Sequence, residues 1–256
     1  MSKVVVISGG GTGIGYACAQ HYAKQEMQVV ILGRRMDTLS QAAANIAEAF
    51  PKAPAVLALT ADLSIPEQAQ NACDVIRQEF KTVDTLINAA GSNAIRRAPA
   101  GSYADGLAGV ARRWNDNFQN NTLSAVLLTE GIRPILKRPG GSVILISSIA
   151  AYRGSSIGCY AAAKAALHPY CYDLAAALSP EGITVNAVAP GYVQDTEFFG
   201  AALSPEQQKS KQAEALNGRG GTPQDVANAI AWLTSAEAGH ITAQIIQING
   251  GAEKGR

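Results

Sequence analysis

The stretch Ser8-Gly9-Gly10-Gly11-Thr12-Gly13-Ile14-Gly15 constrains this chain more than any other. Ahead of it, residues 4–7 read Val-Val-Val-Ile, a β-branched run suited to a strand buried on both faces. Behind it, Ile14, Ala17, Cys18 and Tyr22 recur at helical spacing. A glycine-rich turn between a buried strand and a helix N-terminus is a phosphate-binding arrangement. Free backbone N–H groups and the helix dipole attract the anion, and residues without Cβ let it approach closely. A glycine cluster alone is weak evidence. Its place after the first strand and before a helix gives it weight.

The same alternation runs on. Strands are expected over residues 28–32, 55–59, 84–87, 142–146, 183–188 and 245–248. Helices are expected over 36–50 and 66–80, from Trp114 to about Ile135, over 158–178, and from Pro223 through Leu233. Pro169 should bend the fourth of these. Residues 92–111 read as a loop with a marginal helix. Residues 192–222 read as a long polar lid or binding loop, with Tyr192, Phe198 and Phe199 as its apolar exceptions. The pattern predicts one doubly wound α/β domain over residues 1–256, with a mostly parallel sheet of seven strands. Ligands in such sheets bind beyond the carboxyl ends of the strands. Gly9 to Gly15, Asp62, Asn88 to Gly91, Ser148 and Pro190-Gly191 all fall at those ends.

The second strand ends in Gly33-Arg34-Arg35. In a nucleotide-binding βαβ unit this end faces the adenine ribose, where a carboxylate would accept from a 2′-hydroxyl. No carboxylate is present. Arginine instead offers fork-like donors to a 2′-phosphate, Arg34 first and Arg35 second. That favours NADP and leaves NAD open. Asp62 stands where an adenine amino group can be held.

Tyr160 and Lys164 sit one helical turn apart. An ammonium beside a phenol favours phenolate and lowers its pKa, which suits acid–base work. Taken alone, such a pair is more often a buried aromatic beside a solvated charge. Arg96, Arg97, Arg112 and Arg113 are either solvated charges or a greeting for an acidic substrate.

Composition narrows the partners. Formal net charge is +1, so nothing electrostatic points to nucleic acid or an anionic membrane. Cys18, Cys73, Cys159 and Cys171 lack Cys-x-x-Cys spacing, the histidines are scattered, and no metal site is expected. The cysteines read as small buried residues of a reducing compartment. The N-terminal apolar run is too short for a signal peptide or span, so a cytoplasmic protein is expected.

Together these motifs resemble the short-chain dehydrogenase/reductase family, from Val4 to about Gly251, and most nearly its 3-oxoacyl-carrier-protein reductase-like branch. The family's Thr-Gly-x-x-x-Gly-x-Gly turn is matched from Ser8 to Gly15, with serine leading. Its Asn-Asn-Ala-Gly is matched by Asn88-Ala89-Ala90-Gly91, and its Ser and Tyr-x-x-x-Lys by Ser148, Tyr160 and Lys164, with Ser147 as alternative to Ser148. Asn121 matches the family's asparagine, and residues 186–191 its sixth-strand motif. Three departures stand out. The loop from Ser148 to Tyr160 is one residue short, that from Pro190 to Thr196 one residue long, and residues 98–111 are unlike the family.

The resemblance implies a Rossmann-type fold and an NAD(P) cofactor held by Ser8, Gly9, Gly11, Thr12, Gly13, Ile14, Arg34, Arg35, Asp62, Leu63, Asn88, Ala89, Gly91, Tyr160, Lys164, Pro190, Gly191, Val193 and Thr196. It implies hydride transfer to a ketone, with Tyr160 as acid, Ser148 holding the substrate oxygen, Lys164 holding the nicotinamide ribose and Asn121 anchoring a water. The substrate is a small carbonyl or alcohol, free or carrier-bound. The alternatives are an alcohol dehydrogenase working oxidatively and a nucleotide sensor without turnover. A homodimer or homotetramer, packed through helices around 112–137 and 158–178, is also implied.

Overall fold

A computed structural model describes all residues except 1, 100, 104, 200–202, 255 and 256, together with the side chains of Arg97 and Phe199. Seven parallel strands form one sheet in the order β3-β2-β1-β4-β5-β6-β7. They are β1 (Val4–Ser8), β2 (Gln28–Gly33), β3 (Leu57–Thr60), β4 (Thr85–Asn88), β5 (Ser142–Ile146), β6 (Thr184–Pro190) and β7 (Gln244–Ile248). β3 begins two residues later than the sequence suggests, β5 spans the expected residues, and the other strands shift by a residue or two at their ends.

Strand alternation divides the core into two layers. Val4, Val6, Val30, Leu32, Leu86 and Leu145 point to one face, where helices Pro66–Glu79, Ser124–Ile132 and Leu167–Leu178 cover them. Val5, Ile7, Val29, Ile31, Ile87 and Ile144 point to the other, beneath helices Gly13–Lys24, Met36–Ala49 and Pro223–Leu233. With both faces covered, the near-continuous apolar strands are accounted for. The chain returns from β3 to the far side of β1, so a crevice opens between the carboxyl ends of β1 and β4.

Three segments differ from expectation. A helix starts at Gly106 rather than Trp114, running Gly106–Phe118 behind a short helix Ala94–Arg97. It buries only Gly109 and Asn117 and turns its apolar stripe of Leu107, Val110, Trp114 and Phe118 outward. The polar stretch 192–222 contains a helix, Pro205–Ala213, which Ser204 and Gln207 start with a reciprocal capping box. Residues 200–202 of that stretch lie outside the described residues. Last, the expected helix over 158–178 is two helices, Gly158–Ala165 and Leu167–Leu178. The division falls at Ala166, placing Pro169 in a first turn, where a missing N–H breaks no intrahelical bond.

Candidate active site

A single cleft follows the carboxyl ends of the strands. Gly9, Gly11, Thr12, Gly13 and Ile14 line its middle; Arg34, Arg35, Asp62 and Leu63 line one end. Ser148, Tyr160 and Lys164 line the other, with Ala89, Gly91, Pro190, Gly191, Val193 and Thr196 between. Ser8, Asn88 and Asn121, which were expected at the site, lie outside the cleft wall.

Each of those three braces the wall. Ser8 Oγ accepts from the Ala90 N–H at 3.0 Å, tying the end of β1 to the loop after β4. Asn88 Nδ2 donates to Thr129 Oγ1 at 2.9 Å. Asn121 lies in a π-helical turn, Gln119–Leu123, and is fully buried. Such single turns recur at functional sites. Its Nδ2 donates to the carbonyls of Ser92, at 2.8 Å, and Asn117, at 2.9 Å, while its Oδ1 accepts from the Ser92 N–H at 3.1 Å. The side chain thus holds the loop after Gly91 by both ends of its amide. Asn117, which the sequence reading did not single out, adds to this. Its Oδ1 accepts from the Ala94 N–H at 3.3 Å, and its Nδ2 donates to the Arg113 carbonyl at 2.8 Å. The signal was available as two asparagines one helical turn apart.

The turn after β1 fits a pyrophosphate. Gly9 has φ of +68°, and a Cβ there would stand 2.9 Å from the Ala89 carbonyl. A Cβ on Gly15 would collide with the Gly9 carbonyl oxygen, so only glycine lets the helix start so close to the turn. Helix Gly13–Lys24 has no side-chain cap on Thr12 and no acidic residue in its first turn. Its N–H groups and positive dipole end therefore face the cleft uncompensated. At the end lined by Arg34, Arg35, Asp62 and Leu63, Asp62 Oδ1 already accepts from the N–H and hydroxyl of Ser64, at 3.0 and 2.7 Å. Arg35 Nη2 donates to Glu197 Oε2 at 2.7 Å, and Arg34 is exposed at the rim.

The chemical end is built on β5 and the helix after it. The two serines at the end of β5 part ways. Ser147 is buried and bonded to the Lys164 carbonyl, at 3.1 Å, and to His168 Nε2, at 2.7 Å. Ser148 Oγ accepts from the Ala150 N–H at 3.1 Å, and its hydroxyl is near enough to Tyr160 to lower the phenol's pKa. Of the two, Ser148 lies against the phenol, and the shortened loop between them does not separate the pair. Lys164 is 4% exposed, and its Nζ donates to the Ile146 carbonyl at 2.7 Å. A Cβ on Gly91 would lie 2.8 Å from both Lys164 Nζ and Asn121 Oδ1, so glycine leaves room for both groups.

The electrostatics reverse one expectation. Burial pushes the Tyr160 phenol up to about 12, against the opposing pulls of the nearby Ser148 hydroxyl and the Arg96 charge. Burial also pulls Lys164 down to about 7. An amine so readily neutralised supplies little field, and desolvation outweighs the lowering expected from the neighbouring lysine. Phe198, named only as an apolar exception in its loop, stacks on Tyr160 with ring centroids 5.3 Å apart. The preceding residue, Glu197, also lines the cleft. Tertiary contact alone places both; nothing local marks them. Among the described residues there is no group of three or more His, Cys, Asp or Glu arranged for a metal, and no helix long and apolar enough to cross a membrane.

Comparison with known proteins agrees with this geometry. Residues 9–253 match a family model described as enoyl-(acyl carrier protein) reductase. The chain is 32% identical to the 3-oxoacyl-acyl-carrier-protein reductase FabG of Escherichia coli, covering 97% of this chain and 96% of that one. It is 31% identical to the 3alpha-hydroxysteroid dehydrogenase of Mediterraneibacter gnavus, covering 98% and 97%. The L-sorbose reductase of Gluconobacter frateurii, solved with NADPH and L-sorbose, superposes with a TM-score of 0.86 at 27% identity, covering 100% and 98%. The chain is therefore an oxidoreductase belonging to the short-chain dehydrogenase/reductase family, in its FabG-like branch.

Proposed function

We propose that this protein is an NADPH-dependent reductase that converts a ketone to a secondary alcohol. The observation that carries the reading is Tyr160, which lines the cleft with Ser148 and has its proton held by burial, at the end of a cleft whose middle is a phosphate turn. The nicotinamide, when bound, supplies the hydride. Tyr160 delivers the proton to the carbonyl oxygen, and burial keeps it protonated at neutral pH, as reduction requires. Ser148 Oγ accepts from the Ala150 N–H through one lone pair, and its hydroxyl hydrogen is left to donate to that oxygen. Lys164, one turn below, holds the nicotinamide ribose hydroxyls, and Asn121 holds the loop that walls the site. Gly9, Thr12, Gly13 and Ile14 cradle the pyrophosphate. Asp62 and Leu63 face the adenine, and Ala89, Gly91, Pro190, Gly191, Val193 and Thr196 form the walls along the dinucleotide. Arg34, exposed where no carboxylate stands, takes the 2′-phosphate.

The substrate is a small carbonyl compound, free or carrier-bound. The relatives' names, a carrier-protein reductase and a steroid dehydrogenase among them, support a ketone and do not narrow it further. We propose that a second copy of the chain covers the exposed stripe on helix Gly106–Phe118. Leu107, Val110, Trp114 and Phe118 lie along it at helical spacing, exposed by 86%, 38%, 49% and 48%.

Four outcomes follow. Tyr160→Phe should fold, bind NADPH and lose roughly 10²–10⁴-fold in kcat, the span for removing a general acid; turnover near that of the parent would sink the assignment. Arg34→Ala should weaken NADPH binding about tenfold, read from nucleotide fluorescence, and leave NADH within about twofold, since only one carries the 2′-phosphate.

Lys164 gives a pH signature. Its native value of about 7 lies below the ordinary 10.5, so between them the unfolded chain holds more protons. The Lys164 contribution to the stability of the cofactor-free protein should therefore rise with pH across that window, by a few kcal/mol at about 1.4 kcal/mol per unit. The buried thiols, held above their ordinary values, pull the other way above about pH 9 in both proteins, so the difference in urea stability between the parent and Lys164→Met should grow with that slope from pH 7 to 10. Finally, Trp114→Glu should lower the sedimenting mass, while an unchanged oligomer would place the interface elsewhere.

A further inference from the structure

Residues 193–198 lie across the cleft as a strap. One end is pinned where Val193 bridges to Gly221 and the Gln194 N–H donates to the Gly221 carbonyl at 2.9 Å. Asp195 then turns the chain with φ of +57°, a left-handed conformation that aspartate tolerates better than most residues. The next three residues each touch a different part of the cleft. Thr196 lies over the phosphate turn, its Cγ2 3.4 Å from where a Cβ on Gly13 would stand. Glu197 reaches the adenosine end and pairs with Arg35 at 2.7 Å. Phe198 stacks on Tyr160 at the chemical end, with ring planes inclined at 57°.

We propose that Glu197 is a cofactor-selectivity residue: its carboxylate latches the strap to Arg35, and a 2′-phosphate displaces it where a 2′-hydroxyl does not. The proposal rests on the NADP reading of the adenosine end. Arg35 and Glu197 are 56% and 45% exposed, and ion pairs that face solvent this freely hold weakly. A phosphate brings more charge and more acceptor oxygens to the guanidinium than one carboxylate does. A ribose hydroxyl brings no charge, so with NAD(H) the latch stays shut and costs nothing. Part of the affinity for NADP(H) is thus diverted into opening the latch, and the carboxylate narrows the preference that Arg34 and Arg35 set.

The test is calorimetric titration with adenosine 2′,5′-bisphosphate and 5′-AMP, which present the adenosine end with and without the 2′-phosphate. The parent should prefer the bisphosphate. Glu197→Gln should widen that preference roughly two- to fivefold, the scale of an exposed ion pair, through the bisphosphate Kd alone. In an Arg35→Gln background the same substitution should change neither Kd, because the latch is already gone. If Glu197→Gln leaves the preference unchanged in a parent that prefers the bisphosphate, the latch is wrong and the NADP reading stands. If it still tightens the bisphosphate without Arg35, the carboxylate acts by general repulsion and the latch is again wrong. A parent with no preference overturns the NADP reading, and the latch with it.

Discussion

A parallel sheet covered on both faces leaves polar chemistry one place to go, the ends of its strands. Here Val4, Val6, Val30 and Leu32 are sealed on one side and Val5, Ile7, Val29 and Ile31 on the other. Register does the rest. Ser8 pairs with Leu32 and with Asn88, so β1, β2 and β4 end at one level. The Gly9 N–H then donates to the Leu32 carbonyl at 2.8 Å, and the Ala90 N–H donates to Ser8 Oγ at 3.0 Å. The phosphate turn is clamped between its two neighbours by bonds that follow from strand pairing. Its helix can begin against it only because Gly15 lacks a Cβ.

At the other end of the cleft the same burial sets the chemistry. Tyr160 and Lys164 are driven toward their neutral forms because the helix that carries them packs against the sheet end. A proton held firmly on the phenol is the ground state a reductase needs. The lysine has an amine whose charge depends on what fills the cleft. Its Nζ donates to the Ile146 carbonyl, which belongs to the last residue of β5 and is fixed by the sheet. Asn121 completes the enclosure from the opposite side, and a π-helical turn aims it there. Its three bonds to Ser92 and Asn117 hold the loop in which Gly91 leaves space for the ammonium.

What could be read from the sequence divides along the range of the interactions. Strand runs, the glycine turn and the Tyr160–Lys164 spacing are local patterns, and the sheet order follows from their alternation. Helix Gly106–Phe118 carries an apolar period at Leu107, Val110, Trp114 and Phe118, but the glycines at 106 and 109 in its first turn made that turn read as loop. The capping box at Ser204 and Gln207 was legible in principle but sits in a stretch whose polarity reads as loop. The sign of the Tyr160 shift was not legible at all. Charge spacing is written in the sequence, while the desolvation that outweighs it exists only once the helix is packed.

The two adjacent arginines show the same limit most sharply. In sequence Arg34 and Arg35 differ by one position and nothing else, and ranking them rests on geometry borrowed from other folds. In the structure they stand in different surroundings, because a residue far along the chain reaches one of them. Glu197 comes to Arg35 by way of a strap pinned at Gly221 and turned at Asp195, whose other contact is with Tyr160 through Phe198. One three-residue span, Thr196 to Phe198, therefore touches both ends of the cleft. Under the proposed latch, a substitution there that reshapes the Tyr160 end also shifts which dinucleotide binds better.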